Sequence, residues 1–439
     1  MTLDELKGKI ERREACAGVV GLGYVGLPLA MAYAAAGYHV IGYDIDPDKV
    51  ETLMAGRSYI GDVTDEELAK TLADEAFETT TDPARLAEAD VVAVCVPTPL
   101  TADKEPDLSY LESTARALAP HLRPGQLVIV ESTVYPGATR EAVLPLLEAG
   151  GLKAGRDFWL AFSPERVDPG NTAYPLKGIP TVVGGVDEAA TELAYAFYRP
   201  VVKEVVRVSS AEAAEMSKLL ENTYRAVNIA LVNELKVMCH EMGLDVFEVI
   251  AAAATKPYGF QKFVPGPGVG GHCIPLDPYY LAWRARQVGR ESRFVELAGQ
   301  VNDEMPSYAV GRLEAALQAR GKELAGARVL VLGVAYKANV DDLRESPALV
   351  VIDVLRSRGA EVSYHDPYAP ELPATRKFDF GLKSVELSAE ALKSYDAVVI
   401  TTDHTAVDYD MLFREAALVL DTRGVARRLG LDGGNVVTA

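Results

Sequence analysis

Residues Ala17 to Asp44 constrain this chain more than any other stretch. An apolar run, Gly18-Val19-Val20, leads into Gly21-Leu22-Gly23-Tyr24-Val25-Gly26. A small-residue helix through Ala30-Met31-Ala32-Tyr33-Ala34-Ala35-Ala36 follows, then Tyr38-His39-Val40-Ile41-Gly42-Tyr43-Asp44. Strand, glycine turn, helix and strand in this order make the first half of a doubly wound sheet. Gly21 permits the tight turn, Gly23 lets a pyrophosphate approach the backbone and the helix N-terminus, and Gly26 lets the helix pack close on the strand. Asp44, 18 residues past Gly26, is placed to accept hydrogen bonds from both ribose hydroxyls. A 2′-phosphate would meet its negative charge, so NAD is favoured over NADP. The glycine spacing alone is a weak signal; with strand, helix and acid in register it is specific.

Further short apolar strands follow at Asp90–Val96, Gln126–Val130 and Phe158–Phe162. Each ends in a polar or proline-bearing turn: Pro97-Thr98-Pro99, Glu131-Ser132-Thr133 and Ser163-Pro164-Glu165-Arg166. Ligands of open parallel sheets sit at the carboxyl ends of the strands, so these turns are expected to line a site. Cys95, inside an apolar strand, reads as core. A strand at Thr181–Gly185 and a helix from about Glu188 to Tyr198 complete a first domain, 1–205.

A helix is expected from Ala211 to about Gly243, since neither proline nor glycine falls between Ala211 and Met242. At 1.5 Å per residue it would span about 45 Å, enough to bridge domains or subunits. Ala214, Lys218, Asn222 and Arg225 share one side of it. A solvated face is the ordinary reading of such residues; the interleaved small residues would also let a ligand come close. Two more helices are expected, from Tyr279 to about Val301 and from Ser307 to Arg320.

Between the spine helix and the helix from Tyr279 lies Gly266-Pro267-Gly268-Val269-Gly270-Gly271-His272-Cys273-Ile274-Pro275-Leu276-Asp277. So many glycines and prolines leave little room for helix or strand and describe a shaped loop. It carries one thiol and, four residues on, one carboxylate, a potential nucleophile and a group able to manage its protons. A buried structural cysteine is the plainer alternative.

The opening pattern then recurs. Ala327–Gly333, a helix at Ser346–Ser357 and Gly359-Ala360-Glu361-Val362-Ser363-Tyr364-His365-Asp366 repeat the layout of Gly37–Asp44, which implies a second doubly wound domain. Its fingerprint is gone, because Val334-Ala335-Tyr336-Lys337 follows Gly333 without the second and third glycines. Lys337, Arg344 and Arg423 instead offer positive charge at or just beyond strand ends, suited to another phosphate-bearing molecule. Strands at Asp396–Ile400 and Leu418–Leu420 complete the sheet. The expected fold class is therefore α/β: two doubly wound Rossmann-like domains, 1–205 and 306–439, joined by a helical central domain, 206–305, with a long spine helix.

The totals agree with several domains, since 439 residues exceed one ordinary core. A formal charge of −19 and no dense basic run make nucleic acid and anionic membrane poor partners. The charged start and the lack of any long apolar run give no signal peptide or membrane span, so a cytoplasmic protein is expected. Cys16, Cys95, Cys239 and Cys273 are far apart, without the spacing of a zinc site or a disulfide framework.

Nearly end to end, the chain resembles the nucleotide-sugar 6-dehydrogenases, the UDP-glucose/GDP-mannose dehydrogenase family. Six motifs in the family's order carry the resemblance: Gly21–Gly26, Glu131-Ser132-Thr133-Val134-Tyr135-Pro136-Gly137, Ser163-Pro164-Glu165-Arg166, Lys218 with Asn222, the Cys273 loop, and Arg344-Glu345-Ser346-Pro347. It implies an NAD-binding domain, a helical domain and a UDP-binding domain. It also implies oxidation of a sugar C6 alcohol to a carboxylate with two NAD and one water, through a thiohemiacetal and a thioester on Cys273. On the family pattern Lys218 stabilises an oxyanion, Asn222 adds a hydrogen bond, Asp277 acts on protons with an ordered water, and Glu165 and Thr133 handle water. The pattern leaves open which of Asp277, Glu165 and Lys218 is the base in each step. The resemblance adds Tyr24, Val25, Thr98 and Thr133 to the NAD-binding set, and Glu165, Arg166, Lys218, Asn222, Gly270, Lys337, Arg344 and Arg423 to the substrate-binding set.

Members acting on UDP-glucose typically carry Ser, Phe and Lys where this chain has His272, Ile274 and Leu276. The loop therefore resembles the N-acetylhexosamine branch. Ser163–Asn171 and Ala254-Thr255-Lys256-Pro257-Tyr258-Gly259-Phe260 are most similar to UDP-N-acetylglucosamine 6-dehydrogenases, with UDP-N-acetylmannosamine or UDP-glucose as alternative substrates. A non-catalytic nucleotide-sugar sensor would be expected to lack the thiol, the lysine or the fingerprint, and all three are present. The spine helix suggests a homodimer or higher homo-oligomer.

Overall fold

The computed structural model describes residues 1–166, 176–271, 274–375, 377–431 and 433–439. Val167 to Asn171 of the third turn motif, and His272 and Cys273, lie outside the described residues. The chain divides into two compact units, Met1–Glu221 with Tyr279–Arg290, and Asn222–Pro278 with Glu291–Ala439.

The first unit is built on an eight-stranded sheet of β1 (Cys16–Val20), β2 (His39–Tyr43), β3 (Phe77–Thr80), β4 (Val91–Val94), β5 (Leu127–Val130), β6 (Trp159–Phe162), β7 (Thr181–Gly185) and β8 (Val205–Arg207). Its spatial order is β3-β2-β1-β4-β5-β6-β7-β8, and only the β6/β7 pair is antiparallel. The order reverses between β1 and β4, so the glycine turn after β1 opens at a switch point, where such sheets bind ligands. The central strands are apolar throughout because both faces are covered. Val91, Ala93, Leu127 and Ile129 face one core and Val92, Val94, Val128 and Val130 the other, the alternation a pleated strand imposes. Truncating one such residue, Ile129→Ala, would cost about 2–5 kcal/mol.

The second unit holds a five-stranded parallel sheet of β9 (Arg328–Leu332), β10 (Glu361–His365), β11 (Ala397–Ile400), β12 (Val419–Asp421) and β13 (Val436–Thr438), in the order β10-β9-β11-β12-β13. Here too strand residues alternate between two cores, Val329 and Val331 on one side, Leu330 and Leu332 on the other. The architecture is α/β, with a Rossmann-like sheet in each half and helices between them in sequence.

The spine helix runs Ala211–Glu241, and Gly243 turns the chain away with φ +69°. The helices that follow the loop differ from the expected ones. Instead of 279–301 and 307–320, the helices are Asp277–Gln287 and Arg293–Gln318. The break falls at Gly289, whose φ of +72° ends the first helix. Pro306 lies inside the second without ending it, because Met305, Pro306, Ala309 and Val310 are all buried and packing outweighs one lost backbone hydrogen bond. The expected strand at Asp90–Val96 stops at Val94, so Cys95 stands just past the strand end and is only partly buried, although it packs on the first core. Among the described residues no helix is long and apolar enough to cross a membrane.

Candidate active site

In the first unit, the turn after β1 is set by close contacts. Gly21 has φ +88°, and a side chain on Gly26 would begin 1.8 Å from the Gly21 oxygen. Gly23 is different: a side chain there would meet no protein atom within 4 Å. The protein itself does not demand glycine at that point, and the open space is what the approach of a pyrophosphate would need. Asp44 is buried, 5% exposed, and holds the turn by accepting from Leu22 N–H at 2.8 Å, while Asp46 N–H donates to its other oxygen at 3.0 Å. These residues fit NAD, which when bound would supply the hydride acceptor.

Other strand ends converge in the same unit. Thr98 is buried, and its carbonyl accepts from the Tyr280 hydroxyl at 2.9 Å. Ser132, after β5, accepts from Val96 N–H at 3.0 Å and donates to Val96 O at 2.7 Å, tying the turn after β5 to the turn after β4. Thr133 is half-buried. Glu131 is 3% exposed; burial, and then the nearby Glu165 charge, pushes its carboxyl well above the ordinary range.

The spine helix reaches this cluster through two buried residues one turn apart. Glu215 accepts from Gly137 N–H at 2.5 Å and Thr139 N–H at 2.9 Å, and Lys218, 7% exposed, donates to the Glu165 carbonyl. Arg166 pairs with Glu221 at 2.8 Å and donates to Pro180 O at 2.5 Å.

In the second unit, Asn222 Nδ2 donates to Asp277 Oδ2 at 2.5 Å, and Asp277, 3% exposed, is the first residue of its helix. The glycine loop lies against β9's following segment. Gly271 N–H donates to Arg344 O at 3.2 Å, and a side chain on Gly270 would meet Pro347 at 2.7 Å and Tyr336 at 2.9 Å. Lys337 is half-buried. Arg344 pairs with Asp342 at 2.6 Å, so part of its charge is already answered within the chain. Arg423, in the turn after β12, has Asp403 at 3.4 Å.

Two residues of this unit escaped sequence reasoning. Asn233 Oδ1 accepts from Gly266 N–H at 2.9 Å, and Lys236 Nζ donates to Gly266 O at 2.9 Å. Both polar atoms of the loop's first glycine are thus held by the spine helix. The signal was present, because positions 222, 233 and 236 recur on one helical face. Glu215, one turn before Lys218, was missed in the same way.

A dinucleotide turn on one sheet, a buried Lys218 and a half-buried Asn222 on the spine helix, and a buried Asp277 at the head of the helix Asp277–Gln287 are the parts of a dinucleotide-dependent oxidoreductase. Comparison with known sequences makes this specific. Profiles of the UDP-glucose/GDP-mannose dehydrogenase family match in three parts: the NAD binding domain over residues 16–202, the central domain over 212–304 and the UDP binding domain over 330–428. The UDP-N-acetyl-D-mannosamine dehydrogenase of Pyrococcus horikoshii is 37% identical over 420 residues, 95% of each chain. The UDP-N-acetyl-D-glucosamine 6-dehydrogenase of Pseudomonas aeruginosa is 36% identical over 389 residues, 88% of this chain and 90% of that one. Among solved structures, the UDP-D-ManNAc dehydrogenase of Pyrococcus horikoshii superimposes with a TM-score of 0.87 at 35% identity, covering 96% of this chain and 98% of that one. The chain belongs to the UDP-glucose/GDP-mannose dehydrogenase family and is an NAD-dependent UDP-sugar dehydrogenase.

Proposed function

We propose that this enzyme oxidises the C6 alcohol of a UDP-N-acetylhexosamine to the carboxylate. The observation that carries the reading is the Asn222–Asp277 hydrogen bond: Asn222 follows Lys218 by one turn of the spine helix, and Asp277 ends the Cys273 loop in sequence. After the first hydride leaves C6, the Cys273 thiolate adds to the aldehyde carbon and forms a C–S bond. Loss of the second hydride makes that carbon a thioester, and water cleaves the C–S bond and frees the acid. One alcohol, two NAD and one water give one carboxylate, two NADH and three protons. Lys218 and Asn222 donate to the oxyanion of the tetrahedral carbon. Asp277 orients Asn222 and takes protons, and Glu165 with Thr133 directs the hydrolytic water.

The NAD set is Gly21, Gly23, Tyr24, Val25, Gly26, Asp44, Thr98 and Thr133. Arg166, Gly270, Lys337, Arg344 and Arg423 receive the nucleotide sugar. The domains 1–205, 206–305 and 306–439 carry NAD binding, the cysteine loop and UDP-sugar binding. The His272-Cys273-Ile274-Pro275 loop supports an N-acetylhexosamine, and together with the preceding Lys256-Pro257-Tyr258-Gly259-Phe260 it supports UDP-N-acetylglucosamine. A second reading, UDP-N-acetylmannosamine, is supported by the name and 37% identity of the Pyrococcus horikoshii relative.

Incubation with NAD and a panel of UDP-sugars tests the substrate. Turnover confined to one N-acetylhexosamine names the epimer, and turnover confined to UDP-glucose overturns the reading. Cys273→Ser is expected to stop short of free acid, because an alkoxide ester forms and hydrolyses far less readily; full acid production would remove the thiol from the mechanism.

A homodimer is part of the proposal, placed in the cytoplasm. Tyr224, Leu231 and Met238 recur every seventh residue on the spine helix and are 47%, 51% and 41% exposed, an apolar stripe suited to a second copy. Light scattering should give twice the chain mass, and Leu231→Glu should halve it.

A further inference from the structure

Lys236 is an unusual lysine. It is 2% exposed, its Nζ donates to Gly266 O at 2.9 Å, and the Tyr308 ring from the helix Arg293–Gln318 lies 5.4 Å away. The charged group facing it is a second cation, Arg423 from the turn after β12. The Arg423 guanidinium packs on the same glycine, since a side chain on Gly266 would begin 2.5 Å from Nη1. Among the described residues no carboxylate pairs with Lys236, and Asp403 reaches Arg423 only at 3.4 Å. Two basic side chains on one glycine with so little opposing charge form a corner suited to an anion.

We propose that Lys236 is a positioning residue coupled to the nucleotide: a diphosphate settling beside Arg423 supplies the opposing charge, fixes Lys236 as an ammonium on the Gly266 carbonyl and so holds the loop that leads to Cys273. This rests on the reading of Arg423 as substrate-binding. Asn233 provides the fixed half of the clamp, on Gly266 N–H, and Lys236 the half that answers to ligand.

The direction of the proton balance follows. Burial, then Arg423, brings the Lys236 ammonium down to about 7, so at pH 8 it is mostly neutral in the free protein. An adjacent diphosphate favours the charged form, and binding therefore takes up a proton above pH 7 and ceases to do so well below it.

Isothermal calorimetry of UDP binding at pH 8, in buffers of different ionisation enthalpy, reads this directly. UDP serves because its phosphates are fully ionised there and it is common to all candidate substrates. The wild type is expected to take up close to one proton per UDP. Lys236→Met should take up none and bind roughly tenfold more weakly, as for the loss of one charge-assisted contact. Lys236→Arg, charged at every pH, should restore affinity without proton uptake. No uptake by the wild type, or undiminished uptake by Lys236→Met, overturns the coupling. Arg423→Ala separates the two readings. If it leaves UDP affinity unchanged, the diphosphate is not at Arg423 and both fall; if it weakens UDP while the wild type takes up no proton, only the Lys236 coupling falls.

Discussion

At the end of β1, Gly21 N–H donates to Tyr43 O at 2.8 Å and Leu22 N–H to Asp44 Oδ2 at 2.8 Å; at the end of β9, Gly333 N–H donates to His365 O at 2.8 Å and Val334 N–H to Asp366 Oδ2 at 2.7 Å. Both glycines have positive φ, +88° and +80°. The two sheets share one backbone frame down to individual hydrogen bonds, yet only the first suits a dinucleotide. The difference lies beyond the acid. Around Gly23 there is open space, whereas Asp366 is met by the wholly buried His404, whose Nε2 lies 2.9 Å away. His404 Nδ1 accepts from Asn339 N–H at 3.0 Å, which leaves the Nε2 proton to Asp366. The frame makes a turn; what stands against the acid decides whether the turn admits a pyrophosphate or is sealed by protein.

The strongest way to break this comparison is at the glycines. Gly26→Ala should weaken NAD binding at least 100-fold, measured by NADH fluorescence, since its Cβ would lie 1.8 Å from a backbone oxygen, and should leave UDP binding in place. Gly333→Ala, with Cβ 2.2 Å from Thr402 O, should do the reverse. Next in size, His404→Ala strips a partner from a buried carboxylate and should cost about 3 kcal/mol in urea denaturation without creating a second NAD site. A loss below about 1 kcal/mol would mean that the pair is not what seals the turn. Asp44→Asn should weaken NAD roughly tenfold and narrow the preference over NADP, through loss of a charge-assisted contact to the ribose.

The smallest effect concerns pH, where the two units should differ in sign. Burial alone would raise Asp366, but the hydrogen bonds from His404 and backbone N–H groups win and hold it below its ordinary 3.8. Its contribution is present above that pH and lost as pH falls further. Glu215 is pushed up from 4.5 to about 7, chiefly by burial. Between those values the folded form keeps a proton that the unfolded form has released, so stability falls as pH rises through the window. Glu215→Gln should flatten that slope in thermal denaturation and leave the acid limb unchanged.

Much of this could be read from residue order. The β1 turn, the echo at Gly359–Asp366 and the strand-end turns are local patterns, in which periodicity and glycine placement report the backbone directly. What escaped reading depends on partners far apart in sequence. The His404–Asp366 pair spans 38 residues and the Glu215–Gly137 bond 78, and no local spacing signals either. β3, β8 and β13, the last an edge strand of a second sheet expected to end with Leu418–Leu420, were missed because their four, three and three residues, none of them fully buried except Phe77, make too short a run to read. The continuation through Pro306 was decided by packing, which a breaker residue seen alone does not reveal, and the break at Gly289 by the left-handed turn of an exposed glycine.

With NAD on one sheet, the nucleotide sugar on the other and the aldehyde captured by a single thiol between the two oxidations, no free aldehyde should leave the enzyme. The most direct test is the yield of NADH from a limiting amount of the preferred UDP-sugar at completion. Two NADH per sugar, with no aldehyde trapped by a carbonyl reagent in solution, is the predicted result; one NADH per sugar with free aldehyde would contradict it.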